Sequence, residues 1–270
     1  MRLRKATPTI VNFAVSMLVP LVMLTGWEII VRFEIVPPSQ SAAPISVIKT
    51  LVHLLRSGVL VNHAALSVGR IFLGIVLGAS LGIFSGIFLA TSRMADRLFS
   101  PTMQLLAGVP VVVWIPFWVM FFGTDEAFKI SMAAISTFFL VHLHTFTGVR
   151  SVGRHYIELA AIYEKNAWEK ITGLILPSAA PTISTSIRTS LAFCWVVVFF
   201  VEYASARQGS EGLGWFIADA RQAGKIEEEF AGLLLLGLIA FVSDKLLALL
   251  QRKILRWSDT LETQMLQEDK

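Results

Sequence analysis

Runs of about twenty mainly apolar residues constrain this chain more than any other feature, because a helix needs a run of that length to cross a bilayer. They extend approximately over Val11 to Val31, Leu66 to Ser92, Leu98 to Phe122, Phe128 to Gly148, Ile183 to Tyr203 and Phe230 to Leu250. The fifth has the shortest strongly apolar part, Leu191 to Val201, preceded by Ser, Thr and Arg188. Six spans are expected, or four or five if one segment re-enters. Composition agrees: only 16% of the 270 residues are charged and 55% are hydrophobic. Soluble domains carry about 25% charged residues, so this chain has too few to cover a water-facing surface. A soluble enzyme, a disordered chain and a free nucleic-acid binder are all disfavoured. One cysteine, Cys194, makes neither an internal disulfide nor a metal cage. The expected fold class is all-α and polytopic, one membrane domain over 1–270 with an N-terminal anchor at 11–31 and core spans over 66–250.

Arg2, Arg4 and Lys5 precede the first run, as in a signal peptide. The run is too long for one, and Trp27, Glu28 and Arg32 do not resemble a cleavage site. With the N-terminus inside, the inner segments hold 14 Lys and Arg against 6 in the outer ones. Positive charge concentrates on the cytoplasmic side of membrane proteins, which places both termini there. Three connections are long: 32–65 and 204–228 outside, and 149–182 inside. The first begins with Pro37-Pro38 and ends in an amphipathic stretch, and the second is polar, with Gly209, Gly212, Gly214 and Gly224.

Gly74, Gly78, Gly82 and Gly86 recur every fourth residue and share one helix face. Such a face lets another helix approach closely, either as fixed packing or at a moving interface. Arg70 and Glu202 lie at similar depth near the outer ends of their spans, where ionisable groups are costly. They either pair, or one faces a solute path, or each extends its stem to water. His142 and His144 lie two residues apart on different faces and build no metal site. Asp244 and Lys245 are expected to reach the interface or pair with neighbours, and Cys194 to fill space. Pro110 and Pro116 interrupt the third run, and broken membrane helices line cavities or move.

In the inner loop, Ile157, Ala160, Ala161, Ala167, Trp168 and Ile171 recur at helical spacing. A short helix over 157–172 is expected, bounded by Gly173 and Pro177, with an apolar stripe that docks on a partner or on the chain's own inner surface. No phosphate-binding G-x-x-x-x-G-K-[ST] loop is present, since Gly224-Lys225 is followed by Ile226.

Glu158-Leu159-Ala160, followed seventeen residues after Ala160 by Leu176-Pro177, resembles the "EAA" loop of permease subunits in binding-protein-dependent ABC importers. The nitrate, sulfonate, taurine and bicarbonate group is the most similar. Val36-Pro37-Pro38-Ser39 resembles that family's proline-rich entry, and Ser67, Arg70 and Gly74 its "SxxRxxxG" start of the second span. Pro101, Pro110, Trp114, Pro116 and Gly123 are similar to its third span. Glu202, Gly212-Leu213-Gly214, Asp219 and Arg221 are similar to its "E…GLG…DAR" segment. Two departures stand out: Leu159 replaces an alanine, and Glu164 replaces a glycine six residues after the EAA glutamate.

The resemblance implies a permease subunit of a bacterial inner-membrane importer for a small anion or zwitterion. A second, usually identical, copy would complete the translocation path. Two ATPase subunits would carry ATP and Mg, with no cofactor or metal on this chain. A periplasmic or lipid-anchored binding protein would deliver solute. Glu158, Leu159, Ala160, Ala161, Glu164, Ala167, Trp168, Gly173 and Pro177 would couple to the ATPases, with Arg70 and Glu202 at an outer gate or solute path. The alternatives are a secondary carrier using His142, His144 or Lys129, and an intramembrane enzyme using either histidine.

Overall fold

A computed structural model describes residues 10–33, 35–37, 40–205 and 211–255. The sequence features at Arg2, Arg4, Lys5, Pro38, Ser39 and Gly209, and the segment 256–270, lie outside them. Among the described residues the chain is helical without strands. Helix α1 spans Ile10–Arg32, α2 Pro44–Arg56 and α3 Val59–Thr91. Next come α4 over Arg93–Ala107 and α5 over Ile115–Phe122, then α6 over Glu126–Arg150. Helix α7 covers Arg154–Ile162 and α8 Ala167–Lys170, α9 Leu176–Ala204, α10 Leu213–Gln222 and α11 Ile226–Ile254.

Four stretches among the described residues are long and apolar enough to cross a membrane: α3, α6, the continuous helix 167–204 and α11. A bent pair, α4 with the helix over Val111–Phe122, would make a fifth. The expected first span coincides with the 23-residue α1.

The expected third span is not straight. Its two halves meet at 96°. Pro110 sits at the break, its φ of −55° and ψ of 130° turning the chain out of the helix ahead of a 3₁₀ turn at Val111–Trp114. Pro116 occupies the first turn of α5, where a missing N–H costs nothing. Asp96 anchors α4, accepting from Ser100 Oγ at 2.6 Å and Arg150 Nη2 at 2.5 Å.

The glycine face of α3 lies against α6 of the same chain. A Cβ at Gly82 would meet Phe138 O at 2.9 Å, and one at Gly86 would meet Thr145 Cβ at 2.7 Å. Gly74 opposes Ala133, and Gly78 opposes Ala134 and Thr137. In lipid, helices gain little from apolar burial, so close backbone approach and dispersion hold this pair. Buried Ser136, Thr137 and Cys194 continue the seam toward α9, the Cys194 thiol lying 3.2 Å from Thr137 Oγ1 and 3.3 Å from Ala133 O. Cys194 is thus a packing residue.

The 204–228 connection is not merely a polar loop. It contains α10, whose Leu213, Phe216, Ile217, Ala218 and Ala220 are buried against α9 and α11. Gly232 of α11 leaves room for Phe216 and Ile217, and Arg221 Nη1 donates to Glu229 Oε1 at 2.8 Å. Amphipathic α2 packs on the same end of the bundle, burying Val47 and Leu54. Helix α7 lies at the opposite end.

Candidate functional site

Two constellations stand at opposite ends of the bundle. The first forms where α3, α6 and α9 meet the turn before α10. One turn of α3 places Ser67 and Arg70 on the same face, three residues apart. Arg70 Nη1 donates to Glu202 Oε1 at 2.5 Å and to Glu211 O at 2.6 Å. Its other edge forks onto Glu126 of α6, Nε to Oε2 at 2.7 Å and Nη2 to Oε1 at 2.5 Å. Lys129 Nζ adds a bond to Glu126 Oε1 at 3.0 Å. Glu202 is 1% exposed and accepts from Ser67 Oγ at 2.8 Å and from the Gly214 N–H at 2.9 Å. Ser67 Oγ in turn accepts from the Leu213 N–H at 2.9 Å.

Arg70 and Glu202 therefore pair, and neither extends its stem to water. Buried ions persist only where partners satisfy them on every side, and this pair has such partners. Gly212 is required here: its φ is 139°, and a Cβ would stand 2.5 Å from both Arg70 Nη1 and Glu202 Oε1. The Gly212 N–H donates to His63 Nδ1 at 3.2 Å, and the His63 ring stacks on Trp215.

The second constellation is the 149–182 segment, which is not one helix bounded by Gly173 and Pro177. Helix α7 ends at Ile162, and α8 starts after Asn166. The break has two local causes. Glu164 adopts a left-handed φ of 52°. There the Lys165 N–H reaches Ala160 O at 3.1 Å and the Glu164 N–H reaches Ala161 O at 3.0 Å, the pattern that closes a helix C-terminus. Asn166 then opens α8 with a capping box: its side chain accepts from the Glu169 N–H at 2.9 Å, and Glu169 Oε2 accepts from the Asn166 N–H at 3.0 Å.

From α8 the backbone continues through a π turn at Ile171–Ile175 into α9. Gly173 lies inside that turn and Pro177 in the first turn of α9, so neither ends a helix. The π turn gives the Pro177 ring the room it needs one turn upstream. The 38-residue helix is about 57 Å long at 1.5 Å per residue, far more than the hydrocarbon core requires.

Most of the expected stripe is open. Ile157 is 39% exposed and Trp168 72%, and beside the stripe Leu159, Ile162 and Tyr163 are 47%, 75% and 75% exposed. Ala161 and Ala167 are exposed, Ala160 is half-buried, and Ile171 packs back onto a small core with Ile175 and Ala179. Among the described residues Glu158 pairs with Arg154, at 3.0 Å within α7. Tyr156, Ala160, Tyr163, Lys165, Glu169 and Gly173 help line an open cleft of about 420 Å³ between α7 and α8. A glycine adopts positive φ at no cost, whereas Glu164 bears a steric penalty. Glu164→Gly is thus expected to leave the turn intact and raise stability by about 0.5–1 kcal/mol, read from the unfolding midpoint in detergent. A lower midpoint would contradict the left-handed assignment.

The groups considered for other chemistry are otherwise engaged. His142 Nδ1 lies 2.8 Å from Ser85 Oγ, and His144 Nδ1 2.8 Å from Leu140 O. Asp244 holds Arg188 through both oxygens, at 2.6 and 2.8 Å, while Lys245 Nζ lies over the Phe241 ring. No cluster of three metal-ligating side chains exists among the described residues.

Sequence reasoning missed Glu126 as the second carboxylate on Arg70, and it named Lys129 only as a carrier candidate. The available signal was their spacing of three on one helix face. It also missed the N-x-x-E capping box at Asn166–Glu169.

Comparison with known proteins adds an independent finding. The family model for the binding-protein-dependent transport system inner membrane component matches residues 74–257. A Bacillus subtilis (strain 168) protein named for aliphatic sulfonates transport, the permease SsuC, is 33% identical over 92% of this chain and 88% of its own length. The taurine transport system permease protein TauC of Escherichia coli (strain K12) is 27% identical over 87% of this chain and 86% of its own. Among solved structures, a chain of a bacterial ABC transporter involved in the import of the acidic polysaccharide alginate superposes with a TM-score of 0.66. It covers 90% of this chain and 96% of that one at 14% identity, so the likeness is one of fold.

Proposed function

The chain belongs to the family of binding-protein-dependent transport system inner membrane components, and from that premise we propose how it works and what it carries. It is a multi-pass permease subunit of an ABC importer of the sulfonate, taurine and bicarbonate type. The ion-gradient carrier is the weaker reading.

Two copies of the chain form the translocation path at their interface. The apolar faces left open on α4, on the 3₁₀ turn after it and on α5, with Leu105, Val113 and Met120 at 75%, 61% and 81% exposure, are where the second copy fits. One ATPase subunit docks on each α7–α8 element and supplies the ATP and Mg chemistry, for which this chain carries no phosphate loop. The chain lies in the inner membrane with both termini in the cytoplasm, and a binding protein delivers solute at the α2/α10 end. The solute is a small sulfonate or a similar anion, the class named for the relatives.

The observation that carries this reading is the exposed α7–α8 corner, held by the capping bonds at Ile162–Glu169. Its aromatic side chains are uncovered, and it continues through the π turn into a helix long and apolar enough to span, which supports a place on the cytoplasmic side. A push on the corner therefore moves α9 as a lever. The test is purification of the tagged chain from its own membranes in mild detergent, with mass spectrometry and an ATPase assay. A co-purifying ATPase is expected. A chain that elutes alone and still moves solute under an ion gradient would overturn the proposal.

A further inference from the structure

We propose that Arg70 and Lys129 form an anion-binding site for a small sulfonate or carboxylate, and that Glu126 occupies this site as a built-in, displaceable stand-in. The Arg70 and Lys129 side chains are only 3% and 2% exposed, and of the two carboxylates that bond them only Glu202, paired with Arg70, is fully buried. The second negative charge comes from Glu126, whose side chain is 57% exposed. The two carboxylates are held very differently. Glu202 sits in a closed cradle of Ser67, Arg70 and the Gly214 N–H. Glu126 reaches in from the solvent side and caps the cations with both oxygens, Oε2 on Arg70 and Oε1 on Arg70 and Lys129.

Without Glu126 the cluster would hold one uncompensated buried charge, which is costly unless another anion takes its place. A guanidinium edge beside an ammonium suits a planar carboxylate or a tetrahedral sulfonate. The site lies beside α10, at the end where solute enters in the proposed function. An arriving anion would displace Glu126 and open a connection between α3 and α6, and Glu126 would close it again when the anion leaves.

The choice of ligand rests on the proposed solute class, but the test does not need transport. Purified chain in uncharged detergent at low ionic strength is dialysed to equilibrium against radiolabelled methanesulfonate. Glu126→Gln removes the competing charge and should bind it at least tenfold more tightly than the unaltered chain. Glu126→Ala, a second variant with no acceptor at all, should behave alike. Adding Lys129→Met to Glu126→Gln should return binding to the unaltered level or below. Binding that is no tighter in either Glu126 variant, or that survives Lys129→Met, would overturn the proposal. The ATPase co-purification is independent of this assay, so failure of the importer reading would be recognised separately.

Discussion

Arg70→Met is expected to lower stability by about 3–5 kcal/mol, because it strands Glu202 as an unpaired charge that is 1% exposed. Glu202 would keep Ser67 Oγ and the Gly214 N–H, but neutral donors do not replace a guanidinium 2.5 Å away. The same substitution frees the Glu211 carbonyl, which now receives Arg70 Nη1 at 2.6 Å, and so loosens the entry to α10. Arg70→Met with Glu202→Gln should recover at least half of the loss. The amide oxygen of the glutamine still accepts from the Gly214 N–H, and the buried charge is gone. Exchanging the two charges should not rescue, since an arginine at 202 would aim donors at the Gly214 N–H and at Ser67 Oγ, which already receives the Leu213 N–H. Equilibrium unfolding in mixed micelles measures all three. A double variant no more stable than Arg70→Met would show that the pair is not the source of the loss.

The second large effect lies at the other end. Ala160→Glu with Trp168→Glu should abolish ATP-driven uptake while leaving the permease folded, since neither side chain is fully buried. Each would carry a charge into the contact proposed with the ATPase. An unpaired buried charge costs about 3–5 kcal/mol, which weakens docking by about two to four orders of magnitude. Trp168→Phe should keep most of the activity, because it preserves a large apolar side chain. Uptake counted in whole cells, beside the amount of ATPase retained on the tagged chain, reads both. Normal uptake in the double glutamate variant would remove the α7–α8 corner from the coupling path.

Much of this was legible in the sequence, for physical reasons. Arg70 and Glu202 are conspicuous because bilayer surroundings make ionisable groups expensive, so two at the same depth invite pairing. The glycine repeat of α3 is conspicuous because only a close neighbour makes it useful, and α6 is that neighbour. Periodicity could not show that the stripe over 157–172 breaks. An apolar periodicity carries across a short turn in the sequence, so it does not mark where α7 ends and α8 begins. The clue lay in short-range chemistry, the capping box at Asn166–Glu169. Glu164 was noticed as a departure from a glycine, and its φ of 52° explains what a glycine would have done there. Pro177 was read as a stop because proline removes a donor, but a π turn one turn earlier absorbs it. The bend after α4 was signalled by Pro110, whereas its 96° angle and the packing of Trp114 and Trp118 on the cluster around Phe128 involve tertiary contacts that no local pattern states. Helix α10 was hidden by its glycines and charges, which mark its ends and its exposed face.

The most direct measurement is solute uptake into proteoliposomes that hold the purified chain with its co-purified ATPase and binding protein. Radiolabelled taurine or methanesulfonate is supplied outside, and ATP and Mg are enclosed. Uptake is expected only with ATP, and it should stop with a non-hydrolysable analogue and be unchanged when the proton and sodium gradients are collapsed. Uptake that proceeds without ATP and follows an ion gradient would contradict the account.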